Sequence, residues 1–139
     1  MSAEPKPLVY VVDNDPMLGS VLKMMLEQEG MAVRLFNCAE TFLADLIDPA
    51  TGFSRFSALK TCVIVDVCMP GMSALELQEK LCERSILLPL IFLTGQGTIP
   101  MGVNAIKAGA EDFLTKPVSR EQLMASVHAA LEKAWFGTA

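Results

Sequence analysis

The chain has 139 residues, 52% of them hydrophobic, and a formal net charge of −5 at pH 7. That length suits one domain built on one hydrophobic core, and no second domain fits. Its Lys and Arg residues are scattered with no basic stripe to neutralise phosphates, which argues against direct nucleic-acid binding by this chain and favours proteins or small ions as partners.

The amino terminus, MSAEPKP, is polar and carries two prolines, unlike a signal peptide. Residues 1–7 are read as a disordered tail and 8–136 as the folded domain. Leu8 to Val12 is a short apolar run that ends in Asp13, Asn14 and Asp15, with Pro16 next. Asp15 and Pro16 suit an N-cap and the first helical position, where a missing N–H costs nothing. The helix that follows carries Leu18, Val21, Leu22, Met25 and Leu26 at helical spacing and stops at Gly30. Met31 to Phe36 reads as a second strand. Ala39 to about Ile47 reads as a short helix with Phe42, Leu43 and Leu46 on one face. Residues 48–60, DPATGFSRFSALK, have no period and are expected to form a long, variable loop.

Residues 61–77, TCVIVDVCMPGMSALEL, organise the rest. Val63, Ile64 and Val65 are β-branched with apolar neighbours, the pattern of a parallel strand buried on both faces. Asp66 is the first charge after them. Met69, Pro70 and Gly71 end the strand, and Ser73 with Glu76 forms a capping box that starts a helix at about Ala74, running to about Arg84. Leu87 to Leu93 is a fourth apolar strand ending at Thr94. A helix opening at Thr98 or Ile99 carries Val103 and Ile106 and stops at Gly109. Asp112 to Thr115 is a short fifth strand, after which Lys116 and Pro117 precede a second capping box, Ser119 with Gln122, and a last helix to about Trp135.

Five strands alternating with five helices predict an α/β fold, a doubly wound five-stranded parallel sheet of order 2-1-3-4-5, flavodoxin-like (βα)5. In that order the first and third strands are neighbours at the switch point, so Asp13 and Asp66 meet at the carboxyl edge with Asn14, Thr94 and Lys116. Two carboxylates and a carboxamide oxygen suit a divalent ion that keeps several waters, as magnesium does. A lysine ammonium and a threonine hydroxyl nearby suit phosphoryl oxygens, so the constellation fits phosphoryl transfer. The plainer reading of Asp66 and Lys116 is a pair of solvated residues at strand ends.

The stretches VYVVDNDP at 9–16, VIVDVCMPGMSALELQ at 63–78 and IFLTGQGTIPMGVNAIKAGAEDFLTKP at 91–117, with the closing amphipathic helix, resemble a bacterial two-component response-regulator receiver domain of the CheY-like fold, FixJ-like branch. Thr94 follows Asp66 by 28 residues and Lys116 follows it by 50, spacings that agree with that branch. The resemblance implies a phosphoacceptor, not an enzyme: Asp66 takes a phosphoryl group from a histidine kinase, with Mg2+ held by Asp13, Asp66 and the backbone carbonyl of Cys68. It further implies that Thr94 is the switch hydroxyl, Phe113 the switch aromatic, and Pro117 a cis proline aiming Lys116. Phosphorylation would then alter the face made by the fourth helix, fifth strand and last helix, where Ile99, Val103 and Ile106 offer surface for a homodimer. Family members of this branch normally continue into a DNA-binding domain, which this sequence does not contain; their location is cytoplasmic.

Several residues depart from the family pattern. Asn14 stands where a second acid is usual and keeps an oxygen ligand with one negative charge fewer, so weaker magnesium binding is expected. A constitutive, phosphorylation-independent interaction module is therefore the alternative. Cys68 and Gln96 replace a frequent arginine and histidine, and Cys68 also occupies the place where a phosphatase of this class would need a general acid. Cys38, Cys62, Cys68 and Cys82 have no CxxC spacing and His128 is the only histidine, so no metal cluster is expected. The cysteines are read as small reduced core residues, the methionines as fillers of core gaps and helix faces, and His128 as a surface residue. No apolar run reaches the length of a membrane span.

Overall fold

The computed structural model describes residues 6–47, 60–67, 69–84, 86, 88–95, 104, 106, 107 and 109–137, the last four of these by backbone alone. In chain order the elements are β1 (Leu8–Val12), α1 (Pro16–Gln28), β2 (Ala32–Phe36), α2 (Ala39–Ile47), β3 (Thr61–Asp66), α3 (Ala74–Glu83), β4 (Leu90–Thr94), β5 (Asp112–Thr115) and α4 (Arg120–Gly137). Asn104, Ile106 and Lys107 are helical as well, within the span expected for a helix between β4 and β5. All five strands pair in parallel in the order β2-β1-β3-β4-β5, the doubly wound arrangement expected.

Every residue of β1, β3 and β4 is buried, which is why these strands read as continuous apolar runs without alternation. Their side chains nonetheless divide by parity between two cores. Tyr10, Val12, Val63, Val65 and Phe92 pack with Phe42, Leu43 and Leu46 of α2 and Leu77 and Leu81 of α3. Val9, Val11, Ile64, Ile91 and Leu93 pack on the other face with Leu22 and Leu26 of α1 and Leu123, Val127 and Leu131 of α4. Truncating one such side chain, Phe42 for example, removes its burial and leaves a cavity, a cost of about 3–5 kcal/mol.

The helix ends follow the local chemistry. Asp15 Oδ1 accepts from Met17 N and Leu18 N, and Pro16 occupies the first helical position. Gly30 closes α1 at φ +86°, where a side chain would be strained. Both halves of the Ser73–Glu76 capping box are present, and Gln122 N donates to Ser119 Oγ at 3.1 Å at the start of α4.

Three expectations are corrected. The fourth strand begins at Leu90, after Pro89, whose missing N–H bars it from donating to the ladder although its carbonyl accepts from Val63 N. Among the described cysteines only Cys62 is a core residue, its thiol pushed up to about 12 by burial; Cys38 is half-buried and Cys82 exposed. Val21, Met17 and Met24 point outward from α1, and Gly19 takes a place in its buried face. Residues 1–5 of the expected tail and 48–59 of the expected loop lie outside the described residues, while the Pro7 carbonyl already accepts from Ala32 N. His128 is exposed, as expected.

Tyr10 is fully buried, its ring 5.0 Å from Phe42 and 6.0 Å from Phe36, and its hydroxyl has no hydrogen-bond partner among the described residues. Burial raises the phenol above its ordinary pKa against the opposing pull of the Arg34 guanidinium. Tyr10→Phe keeps the ring and deletes a hydroxyl whose polar neighbour is the Arg34 guanidinium, without a well-aligned hydrogen bond between them. Urea unfolding should therefore show stability unchanged or raised by up to about 1 kcal/mol, and a clear loss would mean the hydroxyl has a partner.

Candidate functional site

Register decides which strand ends meet. Val12 lies opposite Val65 and Asp66 opposite Leu93, while Thr94 lies opposite Thr115, so the residues that end β1, β3, β4 and β5 share the carboxyl edge of the sheet. Asp13, Asp66 and Thr94 are only 5%, 3% and 0% exposed there. Lys116 reaches in from the end of β5: its Nζ lies 3.3 Å from Asp13 Oδ2 and 3.3 Å from Asp66 Oδ2, donating a hydrogen bond to the latter. Its backbone N–H is held by the Thr94 carbonyl at 2.7 Å, and the Lys116–Pro117 bond is cis. Asp13, Asp66, Thr94 and Lys116 are thus brought to one rim, as the strand order requires.

The two carboxylates differ in their surroundings. Asp13 Oδ1 accepts from Asp15 N at 2.8 Å, whereas the buried Asp13 Oδ2 has no well-aligned hydrogen bond among the described residues and is faced by the Lys116 ammonium at 3.3 Å. Burial raises the Asp13 carboxyl above the usual range, the Asp15 amide opposes that, Asp66 adds to it and Lys116 opposes it more weakly. For Lys116, burial works to lower the ammonium, yet Asp13 and Asp66 together carry it above its ordinary value.

A buried carboxylate oxygen without a well-aligned hydrogen bond, next to a second carboxylate and, among the described residues, one ammonium, fits a divalent cation. Among the described residues no cluster of three or more His, Cys, Asp or Glu exists, so such an ion would have two carboxylates and keep neutral oxygens, water included, elsewhere in its shell. Asn14 is exposed beside Asp13. Cys68 and Gln96 lie outside the described residues, as do Ile99 and Val103.

Phe113 is half-buried against the α2–α3 core, its N–H donating to its neighbour Asp112 Oδ1 at 2.8 Å. Ser126 of α4 donates to Asp112 Oδ2, tying the start of β5 to the last helix. One contact near the site went unread in the sequence: Glu40, at the start of α2, accepts from Met72 N at 3.0 Å. Its only sequence signal is an acid in the first turn of a helix, which by itself names no partner.

A family model, the response regulator receiver domain, matches residues 9–128. The response regulator protein TmoT of Ectopseudomonas mendocina is 41% identical over 127 residues, covering 91% of this chain and 54% of the relative. The transcriptional regulatory protein FixJ of Bradyrhizobium diazoefficiens is 35% identical over 126 residues, covering 91% of this chain and 57% of the relative. The crystal structure of FixJ-N superposes with a TM-score of 0.77 at 33% identity, covering 93% of this chain and 96% of that one. The chain therefore spans about half the length of these curated relatives.

The Asp13 shift carries a pH signature. A carboxyl whose folded pKa stands above its unfolded value contributes stability below the unfolded pKa and loses it as pH rises through the folded one, so ionised Asp13 opposes folding at neutral pH. Asp13→Asn should raise Tm by roughly a few degrees in magnesium-free neutral buffer. The gain should fade as pH drops below the carboxylate range; thermal scans across pH check it, and a lower Tm at neutral pH would contradict it.

Proposed function

Because this chain belongs to the response regulator receiver domain family, we propose that Asp66 is a phosphoacceptor supplied by the phosphohistidine of a histidine kinase. The observation that carries this reading is the Lys116 ammonium placed 3.3 Å from both buried carboxylates. Such a charge, fixed before reaction, costs no reorganisation when phosphoryl charge develops. In the transfer an Asp66 carboxylate oxygen bonds to phosphorus as the P–N bond to the donor imidazole breaks, and the imidazole leaves to take up a proton. Lys116 exchanges part of its contact with the carboxylates for phosphoryl oxygens. The buried Thr94 hydroxyl, at the end of the strand beside β3, is the donor that follows the phosphoryl group, and Phe113 the ring that moves behind it.

Asp13, Asp66, Asn14 and the Cys68 carbonyl are the groups that would hold Mg2+. When bound, the ion supplies further neutralisation of phosphoryl charge. The chain is on this reading a substrate of its kinase and not an enzyme of independent turnover. Its output is a two-state change of the face formed by the helix before β5, β5 and α4, where Ile106 is exposed, leading to a homodimer. In a longer regulator of the kind its relatives are, that would govern transcription through a DNA-binding domain, in the cytoplasm. Among the described residues no helix is long and apolar enough to cross a membrane.

A constitutive interaction module is the second reading, and Asn14 is the observation for it. That residue is exposed, so the missing charge is screened, and the difference from an acid there, felt by a divalent ion, is about 2 kcal/mol in a water-like dielectric.

With a small phosphodonor such as acetyl phosphate and magnesium, intact mass should show one added phosphoryl group, absent in Asp66→Asn. No adduct on the wild-type chain would favour the constitutive module. In Asn14→Asp, magnesium affinity should rise about thirtyfold; identical titrations of the two proteins would mean that Asn14 does not limit the metal.

A further inference from the structure

The connection from β3 to α3 leaves the reacting carboxylate, turns at Gly71, and enters α3 at Ala74 within eight residues. Its first amide, Val67 N, is held by the Leu93 carbonyl at 2.9 Å, and Met69 anchors its middle by burial in the α2–α3 core. The two amides before the helix are taken by carboxylates from different elements. Ser73 N donates to Glu76 Oε1 of α3, and Met72 N to Glu40 Oε2 of α2, a residue 32 positions earlier.

Glu40 fits its place closely. Gly71 has φ +81°, and a Cβ there would stand 2.6 Å from Glu40 Oε2, so the carboxylate occupies the space a side chain would need. The Met72 amide, and secondarily the amide of Glu40 itself, hold this carboxyl below its usual range. Glu40 is exposed and adds nothing to the core; what it contributes is a fixed acceptor at the start of α2.

We propose that Glu40 is a positioning residue for the phosphoryl-transfer site: by accepting the Met72 N–H and filling the space over Gly71, it fixes the backbone that runs on from Asp66. The inference rests on the phosphoacceptor reading, because the connection that Glu40 holds is the one that leaves Asp66. Cys68, whose carbonyl is the implied ligand, belongs to the same connection. Releasing Met72 N removes one of the restraints on the backbone between Asp66 and α3, and a less preorganised connection binds a cation more weakly. Outer-shell partners of this kind tune metal affinity without touching the metal.

The test uses the 15N-labelled whole chain with Glu40→Ala and Glu40→Gln. Three quantities are read: hydrogen exchange of the Met72 amide, magnesium affinity from amide shifts in the unphosphorylated protein, and the rate of phosphorylation by acetyl phosphate. In Glu40→Ala, Met72 exchange should rise about tenfold or more while the Ile64 amide in the sheet stays protected. Magnesium should then bind about tenfold more weakly, with phosphorylation slowed at subsaturating metal, and Glu40→Gln, which keeps a carbonyl acceptor, should recover most of both losses. Unchanged Met72 exchange overturns the inference, and so does a freed Met72 with unaltered magnesium affinity. If the alanine variant does not fold, Glu40→Gln decides: the weaker acceptor must speed Met72 exchange about threefold and lower magnesium affinity in parallel, and failure of either overturns it. A wild-type chain that binds magnesium but takes no phosphoryl group sinks the phosphoacceptor reading alone and leaves the Glu40 result readable. One that binds no magnesium overturns this inference as well.

Discussion

Lys116 sets one positive charge against two carboxylates that the sheet has already buried, and much of the structure around the carboxyl edge follows from that imbalance. Neither carboxylate chose its neighbour by local preference. Asp13 and Asp66 come together because β1 and β3 pair in parallel, Val12 against Val65, and in each chain segment the aspartate is the next residue. The hydrophobic packing on both sheet faces holds that register, since a slip by one residue would exchange Tyr10, Val12, Val63 and Val65 with the residues of the opposite core. Burial of some dozen large side chains outweighs the repulsion of one carboxylate pair. The fold therefore holds an unfavourable charge arrangement at its rim, as expected where binding a cation or an anion-bearing group is the purpose and stability is not.

The peripheral ion pairs do different work. Arg120 bonds Gln28 and Glu29 at the end of α1, and Lys133 pairs with Glu111, but these groups are largely solvated and each is worth about 0–1 kcal/mol. They set how α4 lies on its neighbours more than how firmly. The Arg34–Asp45 pair is bidentate, at 2.8 and 3.2 Å, and it joins β2 to α2 beside the aromatic cluster of Tyr10, Phe36 and Phe42. That geometry gives it more orientation than a single contact would.

What the sequence disclosed and what it hid have a common explanation. β-branched runs bounded by Asp and Gly, Asp15 before Pro16, and Ser73 three residues before Glu76 are signals written in adjacent residues, and the corresponding strands and caps are present. Strand order followed from alternation and handedness, and with it the meeting of Asp13, Asp66, Thr94 and Lys116. The start of β4 was misplaced because the apolar run was followed through Pro89, a residue whose missing N–H is itself legible in the sequence. Cysteine and methionine exposure was misjudged because composition says nothing about which side of a helix faces water, as Met17 and Met24 show. The bond from Glu40 to the Met72 amide is invisible to any periodicity, since it joins two segments that only the finished fold makes neighbours.

The same geometry limits how a change at Asp66 could spread. The Lys116 backbone is fixed through its amide to the Thr94 carbonyl, Val67 N is bound to the Leu93 carbonyl, and Asp13 N to the Phe36 carbonyl, so the strand ends on both sides of Asp66 are held in the ladder. Movement on phosphorylation, as proposed, would fall to groups outside that ladder: the Lys116 side chain, the Thr94 hydroxyl, the half-buried Phe113 ring, and the loop that Glu40 restrains. Phe113 touches the α2–α3 core, as Met69 of that loop does, while its own amide is bound by Asp112, which Ser126 ties to α4. A ring moving from that position disturbs packing on one side of the sheet and leaves the hydrogen bonds to α4 intact. The response would accordingly be a choice between two packings of a few side chains on a rigid sheet, which is what lets a single added charge, worth only a few kcal/mol, act as a switch.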